Sequence, residues 1–497
     1  MFSRLIRPLG AALLAAGVAS LGCHQLDFSP RVTPGEIDIY DDLFAVSVVD
    51  SDRAVAVGYH GTAYWTDDAS QNWHKGETGT NLLLYSVSMA DASHGWAVGQ
   101  TGTILRTVDG GKTWVRQANP KEAEGSHLFG VHAVDANTAW VVGEWGTRIR
   151  TRDGGATWED HSVTVTLDHP MFVWLSLTDQ ERVREGKKVF EDVGFNSVFC
   201  LPPPSGSCWI AGEFGYIYYS HDRGDTWQRG EVVGDVFIDP IELAYNSIAL
   251  APDDVARLQG FAAKIENQSH LNVLIDVFVT QKEVKDFGDP KDPFALFDII
   301  SARIDETKAV LEEAGLLQDR MRMPNKPPWD FEDFLEHDPT FLDRYFAGRI
   351  ADTAQIKVSV IQNPYLFTVS FQNEQEGMIS GLGGVVLRSQ DGGQTWGYVT
   401  IDRKQALFSV AAVDSRAVAV GEKGLVRVST DRGTTWTPPE PEKFPAVFTF
   451  MRDLDFAADQ KTGLIVGQQG IVLRTEDGGR SWKQVLPPGE VGLGRVI

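Results

Sequence analysis

A tryptophan follows a glycine at one fixed distance seven times in this chain. The pairs are Gly58/Trp73, Gly99/Trp114, Gly143/Trp158, Gly212/Trp227, Gly381/Trp396, Gly421/Trp436 and Gly467/Trp482, each 15 residues apart, with a second glycine three residues after the first. A unit that recurs this way marks a repeat architecture, in which one supersecondary element is stacked on copies of itself. The second unit shows what the element is. Leu84–Ser88 alternates and reads as a strand, Gly95–Val98 as a second, Thr103–Thr107 as a third, and Val108–Trp114 opens a fourth. Four short strands in roughly 40 residues, separated by glycine turns, make a propeller blade. The tryptophan spacings are 41, 44, 69, 169, 40 and 46, so the period holds except at two insertions. The expectation is an all-β, seven-bladed β-propeller with a smaller insertion between blades 3 and 4 and a large, mostly helical one between blades 4 and 5. Ring closure would remove the exposed sheet edges.

The expected boundaries are a signal peptide over 1–22, a linker over 23–40, blades 1–3 over 41–160, an insertion over 161–194 and blade 4 over 195–228. An acidic helical insertion then occupies 229–362, blades 5–7 occupy 363–487, and a tail runs over 488–497. Within the larger insertion, Asp253–Ile265 carries a helical apolar stripe, Leu271–Val279 resembles a buried strand, and Phe297–Met323 reads as a long amphipathic helix. Trp329–Ile350 alternates acids with large apolar residues. In the smaller insertion, an apolar run, 171–175, precedes a helix-like Asp179–Phe190.

Each Gly-x-x-Gly is read as a turn that reverses the chain with positive φ and little side-chain bulk. Each blade closes on Ser/Thr-x-Asp-x-Gly-x-Thr/Ser-Trp, the Asp-box, at Thr107–Trp114, Thr151–Trp158, Ser220–Trp227, Ser389–Trp396, Ser429–Trp436 and Thr475–Trp482. In Thr66–Trp73 the motif has decayed. An aspartate repeated in every turn is a local structural device that bonds its own backbone, not a catalytic acid. The tryptophan fills the space between sheets.

The formal net charge of -23 argues against nucleic acid, whose phosphates need clustered Lys and Arg, and against an anionic membrane surface. Between 231 and 360 there are 25 acidic and 13 basic residues, so much of this charge belongs to the larger insertion. Arg4 and Arg7 followed by the small, apolar Leu9–Leu21 read as an export signal, too short to span a bilayer comfortably. It ends in Ser20-Leu21-Gly22-Cys23, which resembles a lipoprotein cleavage box and makes Cys23 the lipidation candidate; ordinary cleavage nearby or an uncleaved anchor are the alternatives. Export implies an oxidising compartment, so Cys200 and Cys208, flanking a turn-rich stretch, are read as a disulfide, against two buried free thiols. No metal-ligand cluster, calcium loop, phosphate-binding glycine loop or nucleophile elbow is present, and no cofactor is expected.

The full unit GWAVGQTGTILRTVDGGKTW (95–114), echoed by GLGGVVLRSQDGGQTW (381–396) and GLIVGQQGIVLRTEDGGRSW (463–482), resembles the repeat of the photosystem II stability/assembly factor family. The resemblance covers 41–160, 195–228 and 364–487 and leaves out both insertions. It implies a noncatalytic lumenal or periplasmic seven-bladed propeller that serves a membrane protein complex. Asp-boxes also occur in sialidases, which carry an Arg-Ile-Pro motif in the first blade; that motif is absent from this chain. The alternatives to an assembly factor are an accessory protein of an envelope transporter, a sialidase-like glycoside hydrolase and a carbohydrate-binding propeller.

Labelled A to D outward from the axis, the strands place the Gly-x-x-Gly turns (B–C) and both insertions (D–A) on one rim, with the Asp-boxes opposite. Loops elaborated on a rigid scaffold are where binding resides. The candidate partner residues are the turn aromatics Trp145 and Phe214, read either as exposed interface anchors or as packed under the insertions. The others are the arginines Arg106, Arg150, Arg388 and Arg474, just before the box and matching the family's arginine column, which Trp65, Tyr219 and Val428 interrupt, and their near neighbours Arg148 and Arg427. They are read either as a partner surface or as strand-C side chains paired to a neighbouring blade. The larger insertion is read as a helical cap over one propeller face or as a docking module for a membrane protein.

Overall fold

The computed structural model describes residues 42–485, apart from 168, 170–171, 173–174, 234–237, 267–270, 289–293, 324–348, 363, 400 and 402–404. The signal peptide, the linker, Cys23, the C-terminal tail, most of the 171–175 run and nearly all of Trp329–Ile350 lie outside the described residues. In blade 2, strand A is Leu84–Met89, B is Gly95–Gly99, C is Ile104–Thr107 and D is Val115–Arg116, paired in that order and antiparallel throughout. Six further meanders begin with an A strand at Leu43–Val48, Leu128–Ala133, Phe195–Cys200, Leu366–Phe371, Leu407–Val413 and Met451–Phe456. Strand B is buried on both faces because sheets stack on each side of it, which explains runs such as Ala139–Gly143 with every residue buried.

The two glycines of each turn serve different needs. The first is extended, as at Gly58 (φ −170°). It is required because a Cβ there would lie 2.1 Å from the Asp42 carbonyl oxygen, and one on Gly99 2.1 Å from that of Leu83. Strand A bulges beside this glycine, so that Leu43 and Ala45 flank an extra residue, Phe44. The second glycine does adopt positive φ, and so does the residue before it: His60, Thr101, Trp145, Phe214, Lys423 and Gln469 all lie between 49° and 59°. Two successive left-handed residues form a tight hairpin turn matched to strand twist.

Strand A is the inner edge of each sheet, and its outward amides need acceptors. Serines of the preceding blade supply them: Met89 N donates to Ser47 Oγ at 3.0 Å, Val131 N to Ser86 Oγ at 3.3 Å, Val369 N to Ser197 Oγ at 3.2 Å and Ala412 N to Ser370 Oγ at 3.3 Å. Between blades 7 and 1 the acceptors are carboxylates instead. Val46 N donates to Asp453 at 2.9 Å and Val48 N to Asp455 at 2.7 Å, which closes the ring.

The larger insertion contains the two expected helices, α2 (Pro252–Ile265) and α4 (Phe294–Glu313), and one not expected from the sequence, α3 (Gln281–Phe287); they pack on a mixed sheet. The strand expected at Leu271–Val279 spans Leu271–Thr280 and sits at the centre, with Ala354–Gln362 and Ile241–Leu243 on one side and Met321–Arg322 on the other. The domain is therefore α/β, with Leu258, Phe261, Ile265, Val273, Ile275, Ile300 and Ile304 in its core. The helix expected to reach Met323 stops at Glu313, because Gly315 takes φ +93° and the chain then enters a short strand. In the smaller insertion α1 covers only Leu177–Arg184, ending ahead of Gly186 at φ +74°. The larger insertion meets the propeller at the outer edge of blade 5. Strand D of blade 4 (Gln228–Val233) runs on to pair in parallel with Thr395–Gly397, and Tyr398 packs against the insertion core. This contact lies at the periphery of the ring.

Burial pushes the Asp455 carboxyl up to about 7; the Val48 amide opposes the shift and Asp453 adds to it. A folded-state value above the unfolded one means the group's contribution is fully present below the ordinary carboxylate range and is lost as pH rises through about 7. The melting temperature should therefore carry a component that falls from about pH 4 to about pH 7, between the ordinary and the folded value, and Asp455→Asn should remove it. An unchanged pH slope in the variant would contradict this assignment of the seam.

Candidate functional site

The Asp-box rim is built of turns that satisfy themselves. Asp153 accepts from Thr157 N at 2.9 Å, Thr157 Oγ1 at 2.6 Å and Thr151 Oγ1 at 2.9 Å. The side-chain bond from Thr157, then its backbone amide, hold Asp153 at about 2. Asp431 is held at about 2 in the same way by Thr435. The decayed box of blade 1 keeps the pattern, with Asn72 N and Nδ2 replacing the threonine donors to Asp68. The lone pairs of these carboxylates are spent on their own turns, and a group held at about 2 is a poor proton donor or acceptor near neutrality. The second box glycine packs on the preceding blade: a Cβ on Gly224 would lie 2.1 Å from the Trp140 ring, and one on Gly393 2.7 Å from Trp209.

The arginine column lies between blades and is spent there. Arg106 donates to the carbonyls of Gly154 and Ala136 in blade 3. Arg150 bridges Glu159 of its own blade and Asp225 of blade 4, at 2.9 and 2.7 Å. Arg388 donates to the Arg432 carbonyl of blade 6 at 2.8 Å, and Arg474 to the Ser51 carbonyl of blade 1 at 2.7 Å. Arg427 is buried and donates to the Val426 carbonyl. Arg148 is wholly buried; its Nη2 lies 2.7 Å from Glu191 of the smaller insertion. Tyr218 donates to the other Glu191 oxygen at 2.6 Å, and His169 lies 3.2 Å from it. Burial alone would raise Glu191, but the bonds from His169, Arg148 and Tyr218 outweigh it and hold the carboxyl below its ordinary range. A partner surface made of Arg148, Arg150 and Arg427 is therefore excluded by burial. Arg106, Arg388 and Arg474 serve as inter-blade staples.

The turn rim differs. Trp145 is 47 % and Phe214 49 % exposed, so neither is packed under an insertion. Tyr59 and Leu382 occupy corresponding turns and are exposed as well. The ends of both insertions return to this rim, where Gly146 N donates to the Val193 carbonyl at 2.7 Å and Gly215 N to that of Pro364 at 2.8 Å. Cys200 and Cys208 are cross-strand partners of the blade 4 hairpin and are joined as a disulfide. Sequence reasoning missed the bulge residues of strand A, which line the channel: Phe44, Tyr85, Phe129, Asn196, Phe367, Phe408 and Arg452. Aligning the repeats on the first glycine would have exposed this column, since each stands 14 or 15 residues before it in most blades.

A family model described as photosynthesis system II assembly factor YCF48 matches residues 65–171 and 348–445, and a BNR/Asp-box repeat model matches 218–229. The resemblance read from the repeats is thus shown. Similar solved structures include YCF48 bound to D1 peptide, at 14 % identity over 82 % of each chain with a TM-score of 0.41. YCF48 from Cyanidioschyzon merolae is 15 % identical over 88 % of this chain and 96 % of that one, with a TM-score of 0.47. The GH74 xyloglucanase from Xanthomonas campestris is 11 % identical over 90 % of this chain and 55 % of that one, with a TM-score of 0.48. No curated protein matches.

Removing one member of a buried ion pair leaves the other uncompensated. Arg148→Met should cost about 3 kcal/mol in chemical denaturation, whereas Arg388→Met, at a more open staple, should cost about 1 kcal/mol. Equal, small losses would return Arg148 to the list of surface residues.

Proposed function

We propose, taking the photosystem II assembly-factor repeats as premise, that this chain is a noncatalytic exported scaffold that docks on a membrane protein complex during its assembly or maintenance. The observation that carries the reading is the pair of aromatics exposed on the turn rim. Trp145 and Phe214 stand exposed on adjacent blades, held by left-handed backbone in a rigid hairpin. Large aromatics presented without conformational cost are the residues that anchor protein interfaces. A noncatalytic role is supported by the Asp-box carboxylates, each committed to its own turn. A lipid on Cys23 would hold the scaffold at the membrane where such a partner resides; this part of the reading rests on the sequence 20–23 alone.

The test is crosslinking and affinity purification of the tagged chain from solubilised membranes. The wild type should bring down a membrane protein complex, and Trp145→Ala with Phe214→Ala should reduce recovery at least tenfold without lowering thermal stability. Recovery of the bait alone, or undiminished recovery by the double variant, would sink the rim as the docking surface. Cys23→Ser should release the protein from the membrane fraction if the lipid is its anchor.

A further inference from the structure

The central channel carries a second feature, independent of the turn rim. Every blade has the same bulge at the start of strand A, and the extra residue faces the axis. Phe44, Tyr85, Phe129, Asn196, Phe367 and Arg452 line one cavity of about 150 Å³, and all six are half-buried. The rings form an edge-to-face collar, with centroids 6.0 Å apart for Phe44/Tyr85, 5.3 Å for Tyr85/Phe129 and 5.4 Å for Phe367/Phe408. Blades 4 and 7 break the aromatic pattern, with Asn196 and Arg452.

Arg452 is held between ring faces, its guanidinium carbon 5.1 Å from the Phe44 centroid, 4.7 Å from Phe408 and 5.5 Å from Phe450. Stacking satisfies the face of a guanidinium and leaves its in-plane N–H groups to find acceptors. Among the described residues none is found: Arg452 has neither an ion pair nor a hydrogen bond, and its Nε is buried without a partner. Arg106, Arg148, Arg150, Arg388, Arg427 and Arg474 are all bonded. Three carboxylates of its surroundings are engaged elsewhere. Asp453 accepts from Val46 N and Ser409, Asp455 from Val48 N, and Asp42 from Gln469 N. Asp42, Glu422 and the Tyr59 phenol act on the guanidinium only through space. A cation enclosed among apolar rings, with donors aimed into a cavity, is built to receive an anion.

We propose that the channel mouth is a carboxylate-binding site, in which Arg452 takes the carboxylate and the Phe44, Tyr85, Phe129 and Phe367 rings take a short apolar stem. A planar, bidentate acceptor suits the guanidinium fork, and the cavity admits little more than one side chain. The C-terminal residue of a polypeptide and a small free carboxylic acid share this chemistry.

Isothermal titration of the full chain separates them. The probes are N-acetyl-Ala-Ala-Phe with a free C-terminus, the same peptide as its C-terminal amide, and 3-phenylpropionate. The free-acid peptide should bind at least tenfold more tightly than the amide, and Arg452→Gln should abolish that difference. Phe129→Ala should weaken binding of both acids with the fold intact by thermal unfolding. This variant keeps the test open should Arg452→Gln fail to fold. Binding of the peptide alone assigns the site to a chain terminus, and binding of 3-phenylpropionate alone assigns it to a small acid; either upholds the carboxylate site. Equal affinity for acid and amide, or no binding by either acid, overturns it. Because the Trp145/Phe214 variants leave the channel untouched, failure of the docking surface and failure of this site give different results.

Discussion

The inner edge of each blade is a row of backbone amides that face the axis and have no strand to pair with. An unpaired amide in a confined channel is costly, and an unprotected sheet edge invites wrong partners. Here five of the seven edges are satisfied by side-chain oxygens of the blade before them: Ser47, Ser86, Ser197 and Ser370 at blades 2, 3, 5 and 6, and Asp453 with Asp455 at the seam with blade 1. The same contact fixes the rotation of one blade on the next. The channel lining, the turn rim and the Asp-box rim all inherit their positions from it.

Charge on this molecule has a structural address. A column of arginines one residue ahead of four of the seven boxes looks, in sequence, like a binding stripe. In space, strand C lies under the next blade's turn, so the guanidinium reaches main-chain carbonyls there: Gly154 for Arg106, Arg432 for Arg388, Ser51 for Arg474. Where the column lacks an arginine the staple reverses, and Lys112 of blade 2 reaches back over the Trp65 ring at 4.6 Å. Arg452 is the exception because it lies on strand A, facing a channel and not a neighbour.

The blades were legible because their determinants are local. A glycine that a carbonyl crowds, a left-handed glycine and an aspartate that bonds its own turn all fall within one 15-residue window. What escaped notice was set by longer range. Whether Arg148 is on the surface depends on Glu191, 43 residues away in an insertion that no periodicity describes. The sheet of the larger insertion joins Leu271–Thr280 to Ala354–Gln362, strands too far apart for a pattern to pair. The exposure of Trp145 and Phe214 was undecidable for the same reason, since it depends on where the insertions settle. The bulge column was within reach, but it is a conserved position in space occupied by different residue types.

In many closed propellers a strand from one end of the chain completes the sheet at the other. Here, among the described residues, every blade is drawn from one unbroken stretch, blade 1 from Leu43–Lys75 and blade 7 from Met451–Gln484, and only side chains cross the join. The toroid thus has no topologically privileged starting point. A circular permutant opened at the exposed link between two other blades, with the old ends tethered, would ask for no new pairing and would move the carboxylate-held junction from a gap in the chain to an ordinary linker.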